Sequence, residues 1–137
     1  MSIIGPDIDS QGTGLLNWFM KQQGTIQGFV NVKWNGVTTL ELAEAVSHAI
    51  RCNLCGVYQL VPTESINKYQ LLILFQNVFG KKDVTIERNE KYIVDKTLLH
   101  DRFDFDFQIK DYTKQIENLK IWIERHATQY PSYYTVM

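Results

Sequence analysis

The chain has 137 residues, 45% of them hydrophobic and 21% charged, and its 14 basic and 15 acidic side chains leave a net charge of −1. This length makes one domain that buries about 68% of its unfolded surface, and the composition excludes wholesale disorder. Balanced charge leaves no electrostatic footprint for nucleic acid or an anionic membrane, and no apolar run reaches the roughly 20 residues of a spanning helix. The expectation is a cytoplasmic protein with neither nucleic acid nor membrane as partner.

The chain opens with Ile3-Ile4 followed by Gly5-Pro6, as a buried strand ends in a turn, and with so little polar lead-in this start resembles a cut within a longer protein. Leu15 to Gln23 reads as a helix with Leu15, Leu16, Phe19 and Met20 on one side and Gly24 as its stop. Phe29 to Trp34 alternates at the period of a strand between Gly28 and Gly36. A helix from Val37 to Ile50 follows, with Leu42, Ala43, Val46, Ala49 and Ile50 on one face. Thr38 or Thr39 caps it, and Glu41 in the first turn complements the helix dipole. A strand end feeding a helix start gathers ligands, because free amides and side chains converge there, so a site is expected near this corner.

Gly56 to Pro62 reads as a second strand, closed by a proline that cannot extend a ladder. Ser65 is expected to cap a helix whose Leu71, Leu72, Leu74, Phe75, Val78 and Phe79 face the core and which Gly80 ends. Val84 to Arg88 is a third strand, Tyr92 to Val94 a short fourth, and Asp95 to Leu99 a capped helical turn. Arg102 to Phe107 alternates aromatic and acidic residues, which suits either a strand or a loop clamped by its phenylalanines. Asp111 starts the last helix, where Tyr112, Ile116, Leu119 and Ile123 share a face, and residues 128–137 read as a flexible tail. Alternating strands and helices predict an α/β fold, a small mixed or parallel sheet with three to four helices.

Several patterns invite a chemical reading and fail on context. Gly12-Thr13-Gly14 has two glycines of a dinucleotide fingerprint, but Asn17 stands at the third and no strand runs into it. Tyr92 and Lys96 have the Tyr-x-x-x-Lys spacing of a dehydrogenase pair, yet β-branched Ile93 and Val94 favour extended chain, which keeps the two side chains off a common helical face. Cys52-x-x-Cys55 follows a helix end, whereas a redox pair sits at a helix start. Zinc needs about four ligands, and only His48 lies near the pair in sequence, so the cysteines read as small apolar residues flanking a turn at Asn53. His48, His100 and His126 have no metal spacing.

Five segments nevertheless resemble one family in order. Ser2 to Asp7, Trp34 to Ala43, Gly56 to Pro62, Ser65 to Tyr69 and Asp95 to Leu99 are similar to segments in the C-terminal half of dTDP-4-dehydrorhamnose reductase-like proteins, extended short-chain dehydrogenase/reductases that act on nucleotide-activated sugars. The resemblance covers essentially the whole chain. It implies the substrate-binding half of an NAD(P)-dependent oxidoreductase of polysaccharide biosynthesis, with the glycine fingerprint and catalytic pair in a missing N-terminal cofactor domain. It implies that Ile4, Gly5 and Pro6 end the last strand of that domain beside the nicotinamide, and that Trp34, Asn35, Val37 and Thr38 line the sugar-nucleotide pocket.

Trp34 stands where many members carry a diphosphate-binding arginine, so Arg88 is the candidate replacement, since a guanidinium grips phosphate oxygens with a fork of donors. Asp95 and Lys96 match a family turn that either caps structure or touches ligand. The chain alone is then inactive, holds no cofactor or metal, and takes a nucleotide sugar of a reductase, or alternatively of an epimerase or dehydratase. A second reading is a self-associating module, a homodimer formed through the apolar face that a severed cofactor domain leaves on the Ile3-Ile4 strand.

Overall fold

A computed structural model describes residues 3–135. The chain lays down helix α1 (Leu15–Met20), strands β1 (Gly24–Phe29) and β2 (Val32–Trp34), helix α2 (Thr39–Arg51), strand β3 (Ile66–Asn67) and helix α3 (Lys68–Phe79). Strands β4 (Val84–Asn89) and β5 (Val94–Asp95) and helix α4 (Tyr112–Arg125) complete it, followed by 3-10 turns at Ala127–Gln129 and Ser132–Tyr134. Four helices around small parallel and mixed sheets are the α/β arrangement that the alternation predicts.

The expected single strand from Phe29 to Trp34 is two strands in two sheets. β1 pairs in parallel with β4, from Gly24 opposite Val84 to Phe29 opposite Asn89, whereas β2 lies between antiparallel β3 and parallel β5. The chain crosses between the sheets at Val30 and Asn31 without losing backbone partners: Val30 donates to the Asn89 carbonyl at 3.0 Å, and the Asn31 carbonyl accepts from Val94 at 3.0 Å. Alternation cannot reveal such a crossing, because both strands keep period two. Gly24, expected to stop α1, instead begins β1 at φ +70°, and α1 closes three residues earlier.

Helix α2 starts at Thr39, and Thr38 caps it by accepting the Glu41 N–H at 3.2 Å. Its buried side differs from the expected one: Glu41 and Ala45 face inward, while Val46 and Ile50 are exposed. A carboxylate takes the core-facing position because Lys110 meets it there. In α3 the cap is Asn67 and not Ser65, with a capping box in which Asn67 Oδ1 accepts from Gln70 N at 2.8 Å and Gln70 Oε1 accepts from Asn67 N at 3.2 Å. Gly80 ends α3 in the left-handed conformation at φ +68°, the role expected of it.

Residues 56–62 form no strand, although they alternate as one. Both Cys55 and Val57 carbonyls accept from Arg102 Nη1 at 2.8 Å, so a side chain satisfies backbone that a neighbouring strand would otherwise satisfy. Asp95 to Leu99 is likewise not helical; Asp95 Oδ1 accepts the Thr97 N–H at 2.9 Å and the Thr97 hydroxyl at 2.6 Å in a side-chain turn. Of the two readings open for residues 102–107, the loop is observed: Phe105 is buried with Val37, Ala45 and Leu60, while Phe103 faces solvent.

The main core gathers Leu16, Phe19 and Met20 of α1, Leu71, Leu72, Phe75 and Phe79 of α3, and Ile116, Leu119 and Ile123 of α4 around β1, β2 and β4. The segment expected to be a flexible tail packs on this core through Tyr130, Tyr133 and Tyr134. Tyr134 is buried, and its hydroxyl donates to Asn17 Oδ1 at 3.1 Å while accepting the Asp7 N–H at 3.1 Å. Residues 136 and 137, with Met1 and Ser2 of the N-terminal segment, lie outside the described residues.

Candidate functional site

The corner at residues 34–38 is a structural joint more than a pocket wall. Trp34 is buried with its ring 5.9 Å from that of Tyr112. Asn35, also buried, donates to the Leu98 carbonyl at 2.8 Å and the Pro62 carbonyl at 3.4 Å, and accepts the Leu98 N–H at 2.9 Å. Val37 packs in the cluster with Phe105, and the Thr38 N–H donates to Gln115 Oε1 at 3.0 Å. The side chains of Trp34, Asn35 and Val37 and the Thr38 backbone hold the loops at 62, 98 and 105–115 to the β2–α2 turn, while the Thr38 hydroxyl caps α2.

Ile4 lies beside this joint as a single parallel bridge to Thr38: its N–H donates to the Val37 carbonyl at 3.2 Å, and its carbonyl accepts from Thr39 at 2.7 Å. Gly5 must lack a side chain here, since a Cβ would lie 2.5 Å from Thr39 Cγ2. Gly5 and Pro6 are half-buried.

Arg88 and Lys96, from different sheets, both border the first turn of α3. The Arg88 guanidinium stands 5.1 Å from the Tyr69 ring centre. Lys96 follows β5, donating its N–H to the Lys33 carbonyl at 3.0 Å, and its ammonium is near enough to Lys68 to depress that lysine's pKa. Burial is the larger cause of that depression: the Lys68 ammonium sits 5.4 Å from the Trp18 ring centre and 5.5 Å from that of Phe29. A shallow cleft of about 490 Å³ opens on the Trp18 side of Lys68, lined also by Lys21 and the Gln11–Thr13 turn; Arg88, Lys96, Phe29 and Tyr69 are not on its wall. Close approach of α3 to β1 creates the cluster, and Gly28 permits it, because a Cβ there would lie 2.6 Å from Tyr69 Cδ2 and 3.1 Å from its Cα.

Lys68 is the residue that sequence reasoning missed, although a signal was present. It occupies the first position of α3, where the positive end of the helix dipole disfavours a cation. A second cation beside it adds repulsion, which an anion bridging Lys68 and Lys96 would relieve. Trp18, Phe29 and Tyr69 add apolar faces of the kind that receive a base or sugar ring. Another cavity, of about 780 Å³, lies away from the corner between the ends of α1 and α3, where Lys81 is buried and paired with Asp83 at 3.0 Å.

The residues present do not fit a dinucleotide. The Gly14 amide, which would face a pyrophosphate, donates to Asp7 Oδ2 at 3.0 Å, and a carboxylate there repels an anion. Helix α1, with six residues and no strand leading into it, lacks the βαβ setting. Tyr92 packs edge-on to Phe29 at 5.1 Å, and across an extended segment Lys96 is about 13 Å further along the chain, so no tyrosine–lysine pair forms.

No family model matches the sequence, and no curated relative matches it. Solved structures do match. The dTDP-4-dehydrorhamnose reductase of Bacillus anthracis in complex with NADP superposes with a TM-score of 0.68 at 13% identity, over 81% of this chain and 43% of that one. The RfbD ortholog of Clostridium acetobutylicum gives 0.67 at 12% identity, over 83% and 45%.

This chain has a dehydrorhamnose reductase-like fold, in part.

UDP-N-acetylglucosamine 4-epimerase from Methanobrevibacter ruminantium, in complex with UDP-N-acetylmuramic acid, shares it with a TM-score of 0.61 at 18% identity over 90% of this chain and 44% of that one. The reductase-like chain therefore spans less than half the length of each of these proteins. No described helix is long and apolar enough to cross a membrane.

Proposed function

We propose that this reductase-like chain is the substrate-binding half of a nucleotide-sugar oxidoreductase, of the dTDP-4-dehydrorhamnose reductase type, and that it has no catalysis of its own. The observation that carries the reading is the superposition of most of this chain on less than half of two such reductases and of a nucleotide-sugar epimerase. The Gly12–Gly14 turn closed on Asp7 and the separated Tyr92 and Lys96 support assigning hydride and proton transfer to a second half carried elsewhere. That half supplies the NAD(P), with Ile4, Gly5 and Pro6 at the junction.

Recognition of the substrate falls to the first turn of α3. Lys68 and Lys96 take the diphosphate, Arg88 reinforces them, and Trp18, Phe29 and Tyr69 offer rings for the base and sugar. Trp34, Asn35, Val37 and Thr38 act indirectly, by fixing the β2–α2 joint on which β5 and Lys96 depend. The exposed Val57, Ile93, Leu99 and Phe103, each more than 80% accessible, suit a surface that another half covers.

Isothermal titration with dTDP, UDP and their sugar conjugates tests the reading. The expected result is binding of one nucleotide that weakens at least tenfold in Lys68→Ala and Arg88→Ala, with no change in NADH fluorescence. Tight NADH binding, or nucleotide affinity indifferent to both substitutions, overturns it. Light scattering decides the accompanying point: a dimer that persists with the cofactor half added favours the self-associating module instead.

A further inference from the structure

Asp106 lies more than fifty residues after the Cys52-x-x-Cys55 motif, yet the fold sets it against the C-terminal end of α2. His48 Nε2 is 2.7 Å from Asp106 Oδ1 and 3.5 Å from Cys52 Sγ, and the three ligand atoms lie within 4.8 Å of one another. We propose that His48, Cys52 and Asp106 form a surface site for a thiophilic divalent cation of the zinc class, which clips the 102–109 loop to the end of α2.

The donor set carries the choice of ion. One imidazole, one thiolate and one carboxylate are ligands that zinc takes, whereas magnesium and calcium take oxygen. The spacing agrees: bonds of about 2.0–2.3 Å at tetrahedral angles put neighbouring ligand atoms about 3.3–3.6 Å apart. The His48–Cys52 separation already has this value. The His48–Asp106 separation is that of a hydrogen bond and must widen by about 0.6 Å to admit the ion. The Asp106 side chain, 85% exposed, is free to make that movement.

The surroundings hold the ligands in place. His48 and Cys52 stand four residues apart, one helical turn, at the end of α2 where the last carbonyls give a negative field. The His48 ring packs against both Phe105, at 5.3 Å, and Phe107, at 6.1 Å, which restricts its orientation. Buried Phe105 anchors the loop, so the alternation of the Phe-Asp-Phe segment turns Asp106 outward onto the imidazole. The neighbouring cation Arg51 is held by Ser47 Oγ at 2.8 Å. Three protein ligands leave the fourth position to water, and Cys55, whose thiol points to the Asn53 carbonyl at 3.3 Å, is outside the set.

Cobalt(II) titration of the fully reduced chain tests the site, with magnesium as the hard-ion control. The expected result is one equivalent of cobalt giving a tetrahedral visible spectrum with a thiolate charge-transfer band, displaced by zinc and untouched by magnesium. The band disappears in Cys52→Ser, affinity falls at least tenfold in His48→Gln and Asp106→Asn, and Cys55→Ser binds as the parent does. Zinc also raises the melting temperature of the parent and leaves unchanged that of a variant combining His48→Gln, Cys52→Ser and Asp106→Asn. These residues lie at the surface, and circular dichroism verifies that each variant folds. Absence of the band, a band that follows Cys55 instead of Cys52, or undiminished affinity in Asp106→Asn overturns the assignment.

Discussion

Glu41 offers the sharpest test of how the β2–α2 joint is held. Its side chain is 2% exposed; Oε1 accepts the Lys110 N–H at 2.8 Å and Oε2 accepts the Lys110 ammonium at 3.1 Å. Glu41→Ala removes both bonds and leaves a backbone donor without its acceptor. A hydrogen bond to a charged group contributes about 1.5–3 kcal/mol, and the small cavity adds to that, so the expected loss is about 2–4 kcal/mol. Lys110→Ala keeps the backbone bond. Because the lysine is 32% exposed and also meets Glu44, it should cost about 1–2 kcal/mol, below the range for a fully buried pair. Glu41→Gln preserves one acceptor and should lie near Lys110→Ala. Urea unfolding of the three variants and the double mutant measures the series, and a coupling of about 1 kcal/mol or more is expected between the two positions. A Glu41→Ala loss under about 0.5 kcal/mol, or no coupling, would refute the claim that this ion pair holds the loop before α4 to α2.

Gly28→Ala should cost about 1–3 kcal/mol, since the new methyl meets the Tyr69 backbone and Ile86 as well as a movable ring; an unchanged melting temperature would show that α3 shifts freely. The same variant should weaken nucleotide binding, because Lys68 and Tyr69 move with the helix. Alkali should unfold the protein through Tyr112 and Tyr134, whose pKa values burial raises well above the ordinary value of about 10. The unfolded chain ionises these phenols near pH 10 and the folded chain only well above it, so their contribution is complete below about pH 10 and is lost as pH rises beyond. Of the seven tyrosines, Tyr112 and Tyr134 should therefore add their phenolate absorbance only together with unfolding. All seven tyrosines titrating near pH 10 in a chain that stays folded would contradict the buried placement.

How much of this was legible in the chain differs by element. Helix α4 is local in origin: Asp111 caps it by accepting the Lys114 N–H at 2.8 Å, and Ile116, Leu119 and Ile123 recur on one face, so periodicity and cap chemistry suffice. The same holds for the Gly80 end of α3 and for β4, whose alternation matches its pairing. The alternation of strand and helix patterns also pointed to the α/β fold, because the periods of apolar residues set which face of each element can be buried.

What depends on partners distant in sequence was not readable locally. Residues 56–62 have a strand's pattern but form no strand, and Arg102 takes the Val57 carbonyl together with that of Cys55 just before them. Tyr134 sits in a polar-looking tail and packs into the core, where Asn17, 117 residues away, accepts a hydrogen bond from its hydroxyl. Glu41 looks like a solvated dipole partner and becomes a core residue through Lys110. The sites follow the same division. Arg88 and Lys96 stood out as charges in the sequence, but only the tertiary structure brings Lys96 near Lys68 and Arg88 over the Tyr69 ring at the start of α3, and only the loop anchored by Phe105 gives His48 and Cys52 their carboxylate. A sequence specifies which groups exist and how each stretch prefers to coil. The tertiary structure decides which of those groups share a few ångströms, and short-range bonds and charges act only across such distances.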